Sequence, residues 1–339
     1  MRISEAFFVT LHSNKTKMVN NILLFSLAPS QAWLQVVLLI IGIVVVLKGA
    51  DWLTGGSVGM AQRMGVPQIV IGLTIVAIGT SMPEFFVSLI SAINGTPDLA
   101  VGNIVGSNIF NALLIVGIAA IVAPITILKT TVKQDVPVAL LASVLLMIMT
   151  LDRHISRLDA AILFVLFIVF IGFTLRGAKN GQNDNSEDTL KQPMPMGKAI
   201  LLIIVGLVAL IVGSNLFVDN ASSLARSLGV SDAVIGLTIV AGGTSLPELA
   251  TSTVAAYKGN SGIAIGNVLG SNVFNILMIL GITGLITPMA ITGITMVDLA
   301  VMVASILFIW LFSFTKYRIE RWEGIVLVII FAGYMWWLL

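Results

Sequence analysis

The sequence predicts an all-α integral membrane protein whose ten transmembrane helices form two inverted-topology repeats of five, with helices two and seven broken. Three observations carry this reading. Hydrophobic residues make up 58% of the 339-residue chain and charged residues only 10%, with a mean hydropathy of +1.06, far more apolar surface than a soluble core requires. The stretch Gly72–Ile118 returns as Gly236–Ile282 at a constant offset of 164 without a gap, and 26 of its 47 positions are identical. Each copy places a proline and a glutamate, Pro83-Glu84 and Pro247-Glu248, inside an otherwise apolar segment.

Residues 1–30 read as an N-terminal tail: the short apolar run Ala6–Leu11 is flanked by charge and lacks a convincing signal-peptide core and cleavage site. Ten apolar segments follow, at roughly 31–52, 67–93, 99–123, 134–150, 156–175, 198–219, 231–257, 262–287, 294–314 and 322–339, each near the length needed to cross a bilayer. The first five make one repeat (31–175) and the last five the other (198–339); the polar stretch between them, 176–197, is a linker too short for a regulatory domain. The second and seventh segments would measure about 40 Å as straight helices, longer than a simple span, and are better read as tilted or broken. Pro83 lacks an N–H, so the Gly79 carbonyl loses its helical partner and the turn is pushed apart; Pro247 does the same to Gly243. Backbone freed at membrane depth persists only where protein or a polar cavity satisfies it.

Because five is odd, the second unit enters the bilayer from the opposite side, which brings Glu84 and Glu248 together near the midplane. With the N-terminus outside, 12 of the 18 Lys and Arg residues fall on the inner side, so the positive-inside rule puts both termini outside and the linker in the cytoplasm of a multi-pass cell (inner) membrane protein. Lys48 and Asp51, at the expected end of the first span, read as an interfacial anchor, and Trp33, Trp52, Trp322, Trp336 and Trp337 as belt residues. The lipid bilayer is the one macromolecular partner implied. A net charge of +2 with scattered basic residues argues against nucleic acid, and nothing points to a protein partner. The absence of Cys excludes disulfides and thiolate metal sites, and His12 and His154 fall in polar segments away from the buried acids.

Of the sixteen acids, Glu84 and Glu248 alone lie deep in apolar segments, where a charge costs about 2.5–3.5 kcal/mol and asks for compensation. A bound cation supplies it. The alternative is a capping box, since Ser81-x-x-Glu84 and Ser245-x-x-Glu248 both fit that pattern. Thr80 and Ser81 precede Glu84 by four and three positions, which sets them near its face if the turn stays helical; Thr244 and Ser245 repeat this around Glu248. In the following span Asn103, Ser107 and Asn111 form one polar stripe, as do Asn267, Ser271 and Asn275, with Asn108 and Asn272 about 100° off it. Interhelical hydrogen bonding is the alternative for these amides. Carboxylate, hydroxyl, amide and carbonyl oxygens suit Ca²⁺ or Na⁺ and do not suit zinc or copper. Two carboxylates neutralise one Ca²⁺ or two Na⁺, so one cage can hold either in turn.

The paired motifs GTSMPE with GNIVGSNIFN, and GTSLPE with GNVLGSNVFN, resemble the sodium/calcium exchanger family of the calcium:cation antiporter superfamily, in its small prokaryotic form. The resemblance covers both repeats. It implies a central Ca²⁺ site from Glu84, Glu248 and the carbonyls of Thr80 and Thr244. It also implies flanking Na⁺ sites from Ser81, Ser107, Ser245 and Ser271 with the carbonyls of Ala77 and Ala241, and a centre lined by Asn111 and Asn275. It further implies alternating access in which the spans at Val36–Trp52 and Ala199–Val218 slide over a fixed core. Some relatives carry Asp where Asn275 stands, which puts a role for K⁺ in doubt here, and the large Ca²⁺-sensing insert of animal relatives is absent. The expected function is thus an antiporter, not an enzyme, with transported Ca²⁺ and Na⁺ and no cofactor. A proton/calcium or K⁺-dependent exchanger, a channel and an intramembrane hydrolase with two buried acids are the competing readings.

Overall fold

The computed structural model describes residues 31–180, 194–229, 239 and 241–338. The predicted tail, most of the linker and residues 230–238 of the seventh segment lie outside the described residues. The chain forms α1 (Ala32–Met64), α2 (Gln68–Thr80), α3 (Met82–Ile93), α4 (Pro97–Val122), α5 (Lys129–Asp152), α6 (Arg157–Asn180), α7 (Met196–Ser227), α8 (Ala241–Thr244), α9 (Leu246–Tyr257), α10 (Ser261–Ile286), α11 (Met296–Lys316) and α12 (Arg321–Leu338). Among the described residues eight helices are long and apolar enough to cross a membrane, or nine when α2 and α3, bent by 47° at Ser81, are taken as one span. The interior is built on α4 and α10. In these two, 72% and 83% of the most apolar stretch is buried, against 17–39% for the other six long helices, many of whose Ile, Leu and Val side chains face outward as lipid contact demands.

The first and sixth helices are longer than expected. The apolar segments at 31–52 and 198–219 belong to helices that continue to Met64 and Ser227. Hydropathy falls where Lys48, Asp51 and the run Thr54-Gly55-Gly56 begin, but the helix persists, with Gly56 and Gly59 packed against Ala199, Ile203 and Met194. It stops at Gly65, whose φ of 65° is the left-handed conformation that glycine adopts freely, with its N–H returned to the Ala61 and Gln62 carbonyls. Lys48 and Asp51 therefore sit within α1 and not at its end. Asp51 pairs with Lys258, just beyond α9.

Helices α1 and α7 meet along a seam of small residues. A Cβ added at Gly42, Gly49 or Gly56 would lie 2.9, 2.9 or 2.7 Å from the carbonyl oxygens of Gly213, Gly206 and Ala199 respectively. Position rises along α1 as it falls along α7, so the two are antiparallel, and the seven-residue spacing keeps the small residues on one face of each. Glycines also bring α10 onto α2, here in parallel: Gly262, Gly266 and Gly270 approach Ile69, Gly72 and Leu73 in step.

Contacts between the halves come in exchanged pairs at the 164-residue offset. Gly117 of α4 packs on Val328 of α12, and Gly281 of α10 packs on Phe164 of α6; Gly324 meets Ala120, and Gly284 meets Ala160. Four two-residue strands do the same at the helix ends. β1 (Ile125–Thr126) pairs antiparallel with β4 (Arg318–Ile319), and β2 (His154–Ile155) with β3 (Met289–Ala290), so that Ile125↔Ile319 in one bridge matches Met289↔Ile155 in the other. Among the described residues, π-helical turns interrupt the spans at Gly72–Val76, Phe110–Ile115 and Phe274–Ile279, and the last two again differ by the offset.

The seam predicts an internal contrast within α1. Gly49→Ala and Gly206→Ala force helices apart and should lower thermal stability in detergent by about 1–3 kcal/mol, the usual cost of overpacking. Gly55→Ala has nothing within 4 Å of its new Cβ and should raise the unfolding midpoint through helix propensity. Equal shifts for Gly49→Ala and Gly55→Ala in a thermal scan followed by size-exclusion chromatography would contradict the seam.

Candidate ion-binding site

The bend between α2 and α3 falls at Ser81, two residues before Pro83. Helix α2 closes with the Ser81 N–H on the Ala77 carbonyl at 3.0 Å, Ser81 leaves the helix with ψ 6°, and α3 starts at Met82. In the second half Ser245 has nearly the same conformation, φ −90° and ψ 7°, between α8 and α9. Two helix starts thus carry Glu84 and Glu248 in their first turns, both 1% exposed or less.

The capping box is not formed. Neither Ser81 nor Ser245 makes a side-chain cap bond, whereas Thr295 and Asp298 form a complete one at the start of α11. The hydroxyls reach across the molecule instead. Ser81 Oγ lies 3.1 Å from Glu248 Oε1 and 2.8 Å from Ser271 Oγ, and Ser245 Oγ lies 3.0 Å from Glu84 Oε1 and 3.3 Å from Ser107 Oγ. This corrects the expectation that Thr80 and Ser81 serve Glu84. The non-helical ψ and the bend turn each serine away from the glutamate three residues on and toward the glutamate of the other half. Ser271 Oγ stands 3.4 Å from Glu248 Oε1. Thr80 likewise neighbours Glu248, and Thr244 neighbours Glu84.

The amides brace these breaks. Asn103 Nδ2 donates to the Glu84 carbonyl (3.3 Å) and Ser88 Oγ (3.0 Å), and Asn267 Nδ2 donates in the same way to the Glu248 carbonyl and Ser252 Oγ. The Thr80 hydroxyl has Val76 O, Ala77 O and Asn267 Oδ1 within 3.4 Å, so the Ala77 carbonyl already faces two donors. Of Ala241 the backbone is described, as the first residue of α8. For Asn103 and Asn267 the hydrogen-bonding alternative is the one realised.

Several buried side-chain oxygens have no hydrogen-bond partner, and four of them belong to this site: Glu84 Oε2, Glu248 Oε2, Asn111 Oδ1 and Asn275 Oδ1. The two asparagines are fully buried and sit within the equivalent π-helical turns, where the wider i→i+5 winding displaces them from a regular four-residue stripe. Asp298 and Glu323, the other buried acids, spend their oxygens on helix starts and, for Asp298, on the Tyr334 hydroxyl. Among the described residues no Lys, Arg or His forms an ion pair with Glu84 or Glu248, since the ion pairs are Lys258–Asp51 and Arg318–Glu320. Buried carboxylates without a basic partner are neutralised by a cation or by protons, and the surrounding oxygens are the ligand type that hard cations take. Asn108 and Asn272, which the sequence places off the polar stripe, donate to each other's backbone carbonyls at 3.2 and 3.4 Å, so the hydrogen-bonding alternative is realised for them as well.

The family model for the sodium/calcium exchanger protein matches residues 34–176 and 198–339. A protein named putative antiporter CaxA, from Alkalimonas amylolytica, is 36% identical over 309 residues, covering 88% of this chain and 97% of its own. The sodium/calcium exchanger MaX1 of Methanosarcina acetivorans is 33% identical over 337 residues, covering 88% and 96%. Among solved structures, the sodium-calcium exchanger NCX_Mj soaked with Na⁺ and Sr²⁺ superposes with a TM-score of 0.79 at 33% identity, over 90% of this chain and 98% of that one. The chain therefore belongs to the sodium/calcium exchanger family.

Proposed function

We propose that this protein exchanges Na⁺ for Ca²⁺ by alternating access, and that the Na⁺ gradient drives Ca²⁺ out of the cell. The observation that carries the reading is the group of four donor-free buried oxygens, two from carboxylates, contributed equally by the two halves. Ca²⁺ takes roughly six to eight oxygens, so Glu84, Glu248 and the Thr80 and Thr244 carbonyls form its cage, with Asn111 and Asn275 lining the centre. Ser81 and Ser271 beside Glu248, and Ser245 and Ser107 beside Glu84, form the flanking Na⁺ positions with the carbonyls of Ala77 and Ala241. Two carboxylates balance one Ca²⁺ or two Na⁺, so occupancy by one ion excludes the other by charge. Support comes from relatives named as sodium/calcium exchangers and from a structural neighbour studied with Na⁺, Ca²⁺ and Sr²⁺.

The architecture proposed with this function is ten spans in two inverted repeats, the second and seventh broken. The antiparallel α1–α7 seam and the exchanged bridges and glycine contacts support it. With the inner side marked by Lys and Arg, both termini face outward and residues 176–197 face the cytoplasm of the cell (inner) membrane. Proton/calcium exchange is the second reading, because buried carboxylates also carry protons; dependence of Ca²⁺ flux on Na⁺ separates the two. A hydrolase would need a nucleophile aligned with the acids, whereas the nearby hydroxyls are disposed equally about both carboxylates.

Three outcomes follow. Glu84→Gln and Glu248→Gln each remove half the balancing charge and should abolish Na⁺-driven Ca²⁺ uptake in proteoliposomes while the protein stays monodisperse; near-normal uptake by either excludes the central site. An amide at both Asn111 and Asn275 supplies no charge for a co-bound K⁺, and burying a cation without one costs several kcal/mol. Replacing K⁺ with choline at clamped voltage should therefore leave uptake unchanged, and a collapse without K⁺ would show that the glutamates or carbonyls suffice for it. In cells, a cysteine introduced by Asn185→Cys in the linker should react with impermeant reagents only after the membrane is opened. Labelling of intact cells reverses the orientation.

A further inference from the structure

The donor-free oxygens of Asn111 and Asn275 pose a question of polarity. An amide side chain is nearly symmetric in shape but offers acceptors at one end and donors at the other. Turned by half a rotation, either asparagine would present N–H groups to the place where its oxygen now stands, and would repel a cation there. Something must fix which end faces inward.

The hydrogen bonds around Asn108 and Asn272 do so. Asn275 Nδ2 donates to Asn108 Oδ1 at 2.9 Å, and Asn111 Nδ2 donates to Asn272 Oδ1 at 3.0 Å as well as to Ser271 Oγ at 3.0 Å. Asn108 and Asn272 are themselves held the other way round: each Nδ2 donates to the other's backbone carbonyl. A backbone carbonyl cannot donate, so it accepts only the N–H end of the amide facing it. Flipping Asn108 would set its Oδ1 against the Asn272 carbonyl oxygen and its N–H groups against those of Asn275. All four side chains are at most 1% exposed, so no water competes to relieve such a clash.

We propose that Asn108 and Asn272 are positioning residues for ion binding: anchored on each other's backbone carbonyls, they orient the amides of Asn275 and Asn111 so that both present oxygen to the ion. The chain of polarity runs from a backbone acceptor, through one amide, to the next, and ends on a free acceptor in each half. This rests on the site reading above and assigns a role to two residues that touch no ion. Asn108 also has Met302 Sδ at 4.0 Å, a weak acceptor on the same nitrogen that leaves the orientation unchanged.

The test uses a carboxylate, which is an acceptor at both ends and needs no orientation. Ca²⁺ binding to the purified full-length protein in Na⁺-free detergent is measured by titration calorimetry, with Glu84→Gln as the control for the site. Asn108→Leu removes the acceptor that holds Asn275 and should raise the Kd for Ca²⁺ about ten- to hundredfold, the range typical for residues that orient metal ligands. In the Asn275→Asp background the same Asn108→Leu substitution should leave the Kd unchanged or lower it. An equal penalty in both backgrounds means that Asn108 acts through packing, and overturns the proposal; so does the absence of any penalty. If Asn108→Leu is not monodisperse, Asn272→Leu with and without Asn111→Asp provides the same comparison from the other half. Undiminished binding by Glu84→Gln removes the site and the polarity chain together. Loss in Glu84→Gln with equal Asn108→Leu penalties removes only the latter.

Discussion

Two buried carboxylates, with no basic side chain paired to either among the described residues, constrain everything around them. A buried charge without a partner is costly, so the groups that surround them are hydroxyls, amides and carbonyls, which hydrogen-bond without adding a charge of their own. The hydroxyls of Ser81 and Ser245 meet this condition because they each satisfy one oxygen of a glutamate and leave the other free. The prolines serve the same end. They stop the helix where Glu84 and Glu248 enter, so that the carboxylates stand on fresh helix starts and not in the middle of an uninterrupted apolar rod.

The glycine seams explain how so polar a centre is closed off from lipid. Small residues let α10 lie directly on α2 and let α1 lie directly on α7, so backbone meets backbone and the space between helices is too narrow for an acyl chain. Stability there comes from close packing, since apolar helices gain nothing from leaving lipid for one another. The Asp51–Lys258 pair is the one charged tie between α1 and the end of α9 among the described residues, and it lies where α1 would have left the membrane had it stopped with its hydropathy.

Much of this was legible in the chain. The duplication exposed the helices that matter, because identical residues at one offset single out Glu84, Pro83 and their counterparts against a background of interchangeable Leu, Ile and Val. What the sequence hid was direction. Spacing along a helix places Ser81 beside Glu84, but the break rotates it toward Glu248, 167 residues away, and no local pattern encodes that crossing. The lengths of α1 and α7 were also misjudged, since hydropathy records where a helix meets lipid and not where its hydrogen bonding ends. Asn108 was visible as a polar residue, but its meaning depends on the Asn272 carbonyl opposite and so on the fold.

The two small β bridges have a consequence for how the molecule is made. Each ties a segment that follows a core helix to a segment from the other half, Ile125 to Ile319 and Met289 to Ile155. A ribosome delivers the first half long before Ile319 leaves the exit tunnel. Until then the loop after α4 has no strand partner, and Gly117 waits for Val328 of α12. The newly inserted first half is thus an unfinished surface in the bilayer, and α12 covers a helix made about two hundred residues before it. Insertion of the first half and its closure are separate events in time, with α12 acting as the clasp.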